Sequence, residues 1–368
     1  MAIAGTTLAA GCGAAGKSQS SDASALHVSS PSAEISGAPT LGVDAPDEFE
    51  FRMGSGYGKV VTGRDSSGAF PRYTSTDLKL WTRSGSLLPL DNFPPWAGGE
   101  INWAAEVHKI HLVHENRDEN WAVEGFDDVS QPRGDSRLPP ISIGLQRSTS
   151  PTSPFVDIGH PLIPAGGANA MDPTLLQTAD GRVFIYWKHD STPSEPHASI
   201  WGSEVSTDGV PRLIGPKQKL ISADQPWEDV TVEGPEVVEQ TPADPGYVPN
   251  SNQTGNQFLM MFAGNEEDTH PGSYAEGAAR APSPLGPYTQ YDKPYVKTGG
   301  DWTGLGHCST PISGPDERLF QGCPGRYSPG SPGNAGEAVP RTNIELEIFG
   351  WDQGFPLVRS AFPKIPPP

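Results

Sequence analysis

Three acidic residues stand where short apolar segments begin. Asp47 opens the segment Asp-Glu-Phe-Glu-Phe, Asp172 precedes a proline and the run Thr-Leu-Leu, and Glu233 lies within Val-Glu-Gly-Pro-Glu. A carboxylate at the start of a buried strand costs free energy unless it has a partner or a chemical purpose. If the fold gathers these three carboxylates, they can divide the roles of general acid and general base between them.

The local sequence places Asp172 at the start of a strand, because the residue before a proline is driven toward extended geometry. Asp180 and Gly181 then predict a tight hairpin that returns the chain as a second strand. In the alternative interpretation, Asp172 is a turn residue that caps its own backbone. Glu236 is a second acid close to Glu233, but its place within the strand predicts that it pairs with another group or faces solvent.

A short pattern recurs along the chain. Arg-x-x-Ser-Pro-x-x-Pro-aromatic occurs at 147–155 and again at 280–288, and looser versions occur elsewhere. With positions 73, 143, 200, 274 and 344 as markers, the intervals are 70, 57, 74 and 70 residues. Five units of about 65 residues, each built of short strands and turns, predict an all-β fold, a five-bladed β-propeller in one domain. Its inner strands converge on a channel, so a catalytic set is expected to come one residue from each blade.

Composition excludes several classes of protein. The 368 residues include 44 acidic and 25 basic side chains, a net charge of −19, which argues against binding of nucleic acid. Gly and Pro number 43 and 40, roughly twice their usual share, and would break the helices of a bundle. No segment after the N-terminus approaches the ~20 consecutive apolar residues of a membrane-spanning helix.

The first residues predict export. Small apolar residues at 2–10 lead into Gly11 and Cys12, which resembles a bacterial lipobox. Residues 1–12 are therefore interpreted as a signal with lipid attachment at Cys12, and the protein as secreted or tethered to a membrane through that lipid alone. The alternative is an ordinary flexible N-terminus. Residues 13–40 are rich in Ser and predict a disordered tether before the domain at 41–368, which is expected to be a monomer.

The remaining cysteines and a histidine run raise two further possibilities. Cys308 and Cys323 can pair in an exported chain, but sequence alone leaves that pairing open. His108, His111 and His114 have a spacing of three. Because side chains alternate between the two faces of a strand, this spacing does not predict one zinc site.

Five motifs in the same order carry a family resemblance. Besides the segments around Asp172 and Glu233, the chain contains Asn-Trp-Ala-Ala-Glu-Val at 102–107, Gly-Leu-Gly-His-Cys-Ser at 304–309 and Ile-Glu-Leu-Glu-Ile-Phe-Gly-Trp-Asp at 344–352. Over roughly residues 41–360 it resembles glycoside hydrolase family 43, whose fold is a five-bladed β-propeller. The resemblance implies an inverting glycosidase.

The resemblance also implies roles for the three acids. Asp47 matches the base that activates water, Glu233 the acid that protonates the leaving oxygen, and Asp172 the carboxylate that orients the acid and raises its pKa. An inverting site holds its acid and base about 6.5–9.5 Å apart, with a water between them. The family usually has a proline after the base, whereas this chain has Glu48, so Asp44 remains an alternative base.

Further positions are assigned by the same resemblance. His307 matches a histidine that faces the central channel and approaches a bound calcium or its waters, although a core histidine is the alternative. Trp103 is expected to stack on sugar rings, with Trp96 and Trp227 as looser candidates, and core packing is the alternative for each.

Two polar residues complete the expected substrate contacts. Arg341 is expected to bond sugar hydroxyls or a channel carboxylate, and Glu106 to do the same or pair with a cation. Segments 115–140 and 238–257 are interpreted as long loops that close or extend the substrate cleft. The expected substrate is plant-type polysaccharide, namely arabinan, arabinoxylan or xylan. A non-catalytic sugar-binding propeller is the alternative function.

Overall fold

The computed structural model describes residues 25–26, 28, 35, 38–132, 138–152, 154–249, 255–265, 272–330 and 339–362. The predicted signal at 1–12, its Cys12 and most of the predicted tether lie outside these residues. The described part folds into strands and turns, with one short 3-10 helix at Leu90–Asn92. Within it, no helix has the length and apolar character needed to cross a membrane.

The strands form five antiparallel sheets, which we call blades 1 to 5. Blade 1 comprises β1 (Phe49–Met53), β2 (Gly56–Val60), β3 (Arg64–Asp65), β4 (Gly68–Ser75) and β5 (Thr82–Leu88). Blade 2 comprises β6 (Ala97–Leu112), β7 (Arg117–Asp128), β8 (Ile141–Ser148) and β9 (Val156–Asp157). Blade 3 comprises β10 (Ala170–Gln177), β11 (Val183–His189), β12 (Ser199–Val205) and β13 (Gln218–Ser222).

The last two blades carry extra short strands. Blade 4 comprises β14 (Val232–Gln240), β15 (Gln257–Gly264), β16 (Ala275–Ala281), β17 (Thr289–Gln290) and β18 (Val296–Lys297). Blade 5 comprises β19 (Trp302–Thr303), β20 (Ile312–Ser313), β21 (Leu319–Tyr327), β22 (Arg341–Asp352) and β23 (Phe355–Ser360). The first strand of each blade lies innermost, and β10 packs against both β6 and β14.

The sequence repeat corresponds to one strand of each blade. Tyr73, Ile143, Ile200 and Ile344 lie in β4, β8, β12 and β22, and Tyr274 directly precedes β16. Each of these is the third strand of its blade in the order of pairing. The five-bladed β-propeller predicted from the repeat is confirmed.

Strand β15 shows how neighbouring blades are held together. All eight of its residues are buried, and alternate side chains point to opposite faces. Phe258, Met260 and Phe262 pack into a core shared with blade 3. Leu259 and Met261 pack into a core shared with blade 5. Because other blades cover both faces of β15, its sequence is a nearly continuous run of apolar residues.

The described residues before position 41 are packed against the propeller. Val28 and Ile35 are fully buried in the core between blades 4 and 5, with Leu26 against them. The Leu26 N–H donates to the carbonyl of Gln290 at 2.7 Å. The prediction of a disordered tether is wrong at these positions, because a few apolar side chains suffice when a formed surface receives them.

The disulfide left open by the sequence is present between Cys308 and Cys323. It joins the chain that follows the two-residue strand β19 to β21 of the same blade. The inner strand of blade 5 is very short, so this covalent link anchors the segment that carries His307.

Candidate active site

The three acids predicted from the sequence lie together at one end of the channel. Asp47 lies two residues before the first strand of blade 1, Asp172 lies in the first strand of blade 3, and Glu233 lies in the first strand of blade 4. The side chains of Asp47 and Glu233 are 16% and 17% exposed, and Asp172 is more deeply buried. Asp172 interacts electrostatically with both of the other carboxylates.

Prolines create the bends beside two of these acids. The pairing of β10 with β11 shifts register between Met171 and Thr174, where Pro173 lies. The pairing of β14 with β15 shifts between Glu233 and Glu236, where Pro235 lies. Proline has no N–H to donate and is accommodated within sheets at such bulges, which re-aim side chains next to functional sites.

The backbone is strained where the site is assembled. Asp47, Asp172 and His307 have φ of 47°, 50° and 57°, in the left-handed region that residues with a Cβ rarely adopt. Gly234 has φ of +52°, and a Cβ added there would lie 2.8 Å from Cδ2 of His307. Such conformations cluster at functional sites because the surrounding fold must enforce them.

Glu233 accepts a hydrogen bond at each carboxylate oxygen. Lys188 Nζ lies 2.7 Å from Oε2, and the Tyr274 hydroxyl donates to Oε1 at 2.6 Å. Burial raises the pKa of Glu233, but the Lys188 ammonium and His307 outweigh it and lower that pKa to about 2. Lys188 and His307 thus oppose the protonation of Glu233 that was expected from its neighbour Asp172.

Asp172 is buried, and burial favours the protonated form of its carboxyl group. Burial raises its pKa to about 6, with His307 and Lys188 opposing and Glu233 and Asp47 reinforcing the rise. Its Oδ2 accepts the backbone N–H of Gly234 at 3.4 Å. Asp172 thus joins the inner strand of blade 3 to that of blade 4.

Asp47 lies beside two cationic side chains. Its Oδ1 is 3.6 Å from His307 Nδ1 and 3.7 Å from Arg341 Nη1. The alternative base, Asp44, is exposed and accepts the backbone N–H of Arg341 at 3.0 Å. The geometry favours Asp47 over Asp44 as the carboxylate of the site and gives Arg341 a carboxylate partner.

His307 is buried among carboxylates. Burial lowers its pKa, but Asp47, Asp172 and Glu233 raise it overall. Calcium prefers oxygen ligands, which an imidazole does not offer. The described residues contain no group of three or more His, Cys, Asp or Glu side chains able to hold a metal ion. The calcium that the resemblance implied near His307, or near its waters, stays a prediction.

Comparison with known proteins identifies the family. The model of glycosyl hydrolases family 43 matches residues 36–320. The chain belongs to this family. A curated relative, the beta-D-galactofuranosidase xynD of Aspergillus niger, is 25% identical over 256 residues, covering 67% of this chain and 62% of the relative. The chain therefore matches less than two thirds of that relative's length.

Solved structures share the fold of this family 43 chain. A thermostable family-43 glycoside hydrolase aligns with a TM-score of 0.67 and 23% identity, covering 92% of this chain and 98% of the other. An alpha-L-arabinofuranosidase from Lactobacillus brevis aligns with a TM-score of 0.67 and 14% identity, covering 90% and 97%. At these identities the likeness establishes the fold.

The predicted aromatic residues of this family 43 chain separate into two groups. Trp103 is half-buried and packs with Met171, the neighbour of Asp172, so it borders the site. Trp96 is buried against Phe126, with ring centroids 5.8 Å apart. Trp227 is half-buried and stacks on Phe262 at 5.7 Å, filling the space above Gly264 and Gly277. Trp96 is a buried packing residue and was a wrong candidate for sugar stacking, whereas stacking of a sugar on Trp227 stays a prediction.

Glu106 and Glu236 lie deeper in the channel. Glu106 Oε2 is 2.6 Å from His108 Nε2, and burial raises the pKa of Glu106 to about 8. Glu236 accepts the hydroxyls of Thr174 and Thr310. The prediction that Glu236 pairs with other groups is confirmed. Glu106 is buried and paired inside the protein, and its predicted contact with substrate stays a prediction.

The three spaced histidines have different partners. His108 pairs with Glu106, His111 with Asp118 at 2.7 Å, and the exposed His114 lies 3.7 Å from Asp208. The reasoning that strand spacing keeps them apart is confirmed.

Only one of the two long segments lies at the catalytic end. Residues 117–128 of the first segment form strand β7, and the described residues that follow it, 129–132 and 138–140, lie at the end of the propeller where Asp172 lies. A cavity of about 410 Å³ is lined there by residues that include Leu138, Asn169 and Asp190. The described residues of the connection after β14, at 241–249 and 255–256, lie at the opposite end, because Glu233 is the second residue of β14 and the strand runs away from it. The expectation that 238–257 borders the cleft is therefore wrong.

The opposite mouth of the channel is also open. A cavity of about 860 Å³ is lined by the far ends of the inner strands, including Arg52, His111 and Glu239. None of the three acids lines it, so it is separate from the site described above.

Two site residues were not predicted from the sequence, namely Lys188 and Tyr274. Lys188 had a signal, since it is the one charged side chain in the apolar run Val-Phe-Ile-Tyr-Trp-Lys, and a buried lysine needs a carboxylate partner. Tyr274 had none, because a tyrosine beside a strand is ordinary core material.

A second buried charge cluster adjoins Asp47. The Lys59 ammonium contacts Glu48, lies 3.0 Å from Glu50 and 3.3 Å from Glu345, and all four side chains are fully buried. It joins blade 1 to β22 of blade 5. Glu48 takes the place of the usual proline, and burial raises its pKa to about 8 despite the opposing effect of Lys59.

Proposed function

We propose that this chain is an inverting glycoside hydrolase that cleaves O-glycosidic bonds of plant-type polysaccharide, such as arabinan, arabinoxylan or xylan. The observation that carries the proposal is the convergence of Asp47, Asp172 and Glu233 from three different blades at one end of the channel. Membership of family 43 supports the same conclusion.

In the proposed reaction Asp47 is the general base. It takes a proton from water as the water oxygen attacks the anomeric carbon, while the bond from that carbon to the leaving oxygen breaks. His307 and Arg341 lie beside Asp47 and fix the position of its carboxylate. Attack from the face opposite the leaving group inverts the anomeric configuration.

Glu233 is the proposed general acid, which gives its proton to the leaving oxygen. Tyr274 orients one of its oxygens and Lys188 the other. Asp172 positions Glu233 through the N–H of the next residue, Gly234. The carboxylates of Asp172 and Glu233 interact electrostatically, so protonation of one changes the pKa of the other.

The substrate class is drawn from the family and its relatives. The curated relative is a galactofuranosidase, and one solved structure with the same fold is an arabinofuranosidase. Both names specify a furanoside. We therefore place furanosidic side chains or backbones first among the expected substrates, and xylosides second.

Hydrolysis assays with matched variants test this proposal. Wild type is offered aryl α-L-arabinofuranoside, aryl β-D-galactofuranoside, aryl β-D-xyloside, linear arabinan and arabinoxylan. We expect turnover of at least one, lost by 10²-fold or more in Asp47→Asn and in Glu233→Gln. Asp180→Asn is the control, since that exposed acid pairs with Arg182 at the far end of blade 3. Binding of sugar without any turnover would instead support a non-catalytic sugar-binding propeller.

We also propose that the protein is exported and anchored through Cys12. The Gly11–Cys12 pair supports this, and a disulfide such as Cys308–Cys323 is stable in an oxidising compartment. Expression of wild type and Cys12→Ser in a bacterial host, followed by membrane fractionation, tests it. We expect wild type in the membrane fraction and the variant released, whereas equal release of both would contradict the proposal.

A further inference from the structure

The contacts of Glu233 restrict where its proton can be held. Lys188 Nζ donates to Oε2 at 2.7 Å and the Tyr274 hydroxyl donates to Oε1 at 2.6 Å. A carboxyl proton occupies one of these two oxygens, and an ammonium has no lone pair to accept it. Protonation of Oε2 therefore requires Lys188 to move away.

Lys188 is held in a mostly buried position. Its side chain is 11% exposed and lies in β11, where the five preceding residues are buried and apolar. It is paired in register with Met171, the neighbour of Asp172. Burial lowers the pKa of Lys188, but Glu233, Asp172 and Asp190 raise it overall, so the ammonium has alternative carboxylate partners nearby.

We propose that Lys188 is a positioning residue that holds Glu233 as a carboxylate in the substrate-free site and releases it when a sugar binds. The inference rests on the proposed function of Glu233 as general acid. Lys188 touches the acid and not the reacting atoms, so its effect is expressed through the fraction of Glu233 that carries a proton.

The groups that face Glu233 come from four elements. They are Lys188 from β11, Asp172 from β10, Tyr274 before β16 and His307 from the segment after β19. Lys188 and His307 both favour the ionised carboxylate, and Lys188 is the stronger of the two. Above the pKa of a general acid, the active fraction falls tenfold for each pH unit.

Removal of the lysine charge tests this assignment. The pH dependence of kcat/KM reports the free enzyme, and that of kcat reports the enzyme–substrate complex. In wild type we expect the alkaline limb of kcat/KM to lie at lower pH than that of kcat. In Lys188→Met the alkaline limb of kcat/KM should move to higher pH by about one unit or more, so that it approaches the alkaline limb of kcat. Lys188→Arg keeps the charge and should retain the wild-type order of the limbs.

A control and a second readout separate the possible failures. Lys219 lies on the outer strand β13 and pairs with Glu195. Lys219→Met should therefore leave the pH profile of kcat/KM unchanged. If Lys188→Met does not fold, Lys188→Gln removes the charge while keeping a hydrogen-bond donor, with the same expected shift. Carbon-13 NMR of the glutamate carboxyls, with Glu233→Gln to assign the signal, follows Glu233 directly and needs no turnover.

The outcomes decide between the two proposals. If no protein hydrolyses any substrate, the proposed function fails, and the NMR titration still decides whether Lys188 controls Glu233. An upward shift of the Glu233 titration in Lys188→Met supports the inference. Superimposable titrations of Glu233 in wild type and in the uncharged variant would overturn it.

Discussion

The backbone N–H of Gly234 donates a hydrogen bond of 3.4 Å to Oδ2 of Asp172. It links the bulges of two neighbouring inner strands, one containing Asp172 and the other containing Glu233. The position of Glu233 therefore depends on a residue of another blade, and Asp172 acts on it through backbone geometry as well as charge.

Removal of the Asp172 carboxylate should impair catalysis more than folding. In Asp172→Ala the Gly234 N–H loses its acceptor and Glu233 is free to shift. Misplacement of a catalytic group by about 1 Å can cost 10²-fold in rate. We expect kcat to fall by about that factor with KM nearly unchanged, as measured with an aryl furanoside. A rise in KM alone would instead assign Asp172 to substrate binding.

Gly234 should not tolerate a side chain. An added Cβ would both strain the positive φ and approach His307 Cδ2 to 2.8 Å. The matched control is Gly209→Ala, where φ is +68° but nothing lies within 4 Å. The strain alone costs about 1–2 kcal/mol. We expect Gly234→Ala to lose more free energy of unfolding than Gly209→Ala in urea titrations. Equal losses would contradict the proposed contact.

Much of this architecture was predictable from short sequence signals. Asp172-Pro and Gly234-Pro235 mark the two bulges, and the repeat at 73, 143, 200, 274 and 344 marks the third strands. Each of these features is formed by residues that are neighbours in the sequence, so the sequence around them is enough to predict them. The ordering of Val28 and Ile35 was not predictable, because it depends on a groove between two blades that the local sequence does not describe.

The Lys59 cluster should be essential for stability. Loss of the ammonium in Lys59→Met leaves the buried carboxyls of Glu48, Glu50 and Glu345 without their cation. Breaking a buried ion pair by removal of one partner typically costs about 3–5 kcal/mol. Urea unfolding should show a loss of this size, whereas Lys297→Met, at an exposed position, should change stability by less than about 0.5 kcal/mol. A loss as small as that of the control would contradict a structural role for Lys59.

Stability should fall as the pH rises from about 5 to 8. Burial raises the pKa of Glu48, Glu106 and Glu228 to about 8 and that of Asp172 to about 6. The folded state then binds more protons than the unfolded chain in this window, so unfolding becomes easier as pH increases. Burial lowers the pKa of His108 to about 4. His108 therefore opposes the fall in stability, but only at pH values below its pKa in the unfolded chain.

Thermal unfolding of the protein across this pH range measures the effect. We expect the Tm to be higher at pH 5 than at pH 8, and the difference to shrink in Glu48→Gln, which removes one of the titrating groups. A Tm that increases steadily toward pH 8 would show that these carboxyls are ionised in the folded protein.

The charge environment of the acids was the part that sequence could not supply. The motif around Glu233 indicated an acid, but its partner Lys188 is 45 residues away in another blade. Tyr274 directly precedes β16 and is no different in sequence from a core tyrosine. Motifs therefore predicted which carboxylates converge, whereas their protonation depends on contacts that only the closed propeller creates.

The most direct test of the central claim is the stereochemistry of the product. Proton NMR of a reaction started with a substrate of known anomeric configuration shows the configuration of the sugar first released, before mutarotation. If Asp47 activates water and Glu233 protonates the leaving oxygen, the first product has the inverted configuration. Retention of configuration would contradict the account, because it would require a carboxylate to attack the sugar in place of water.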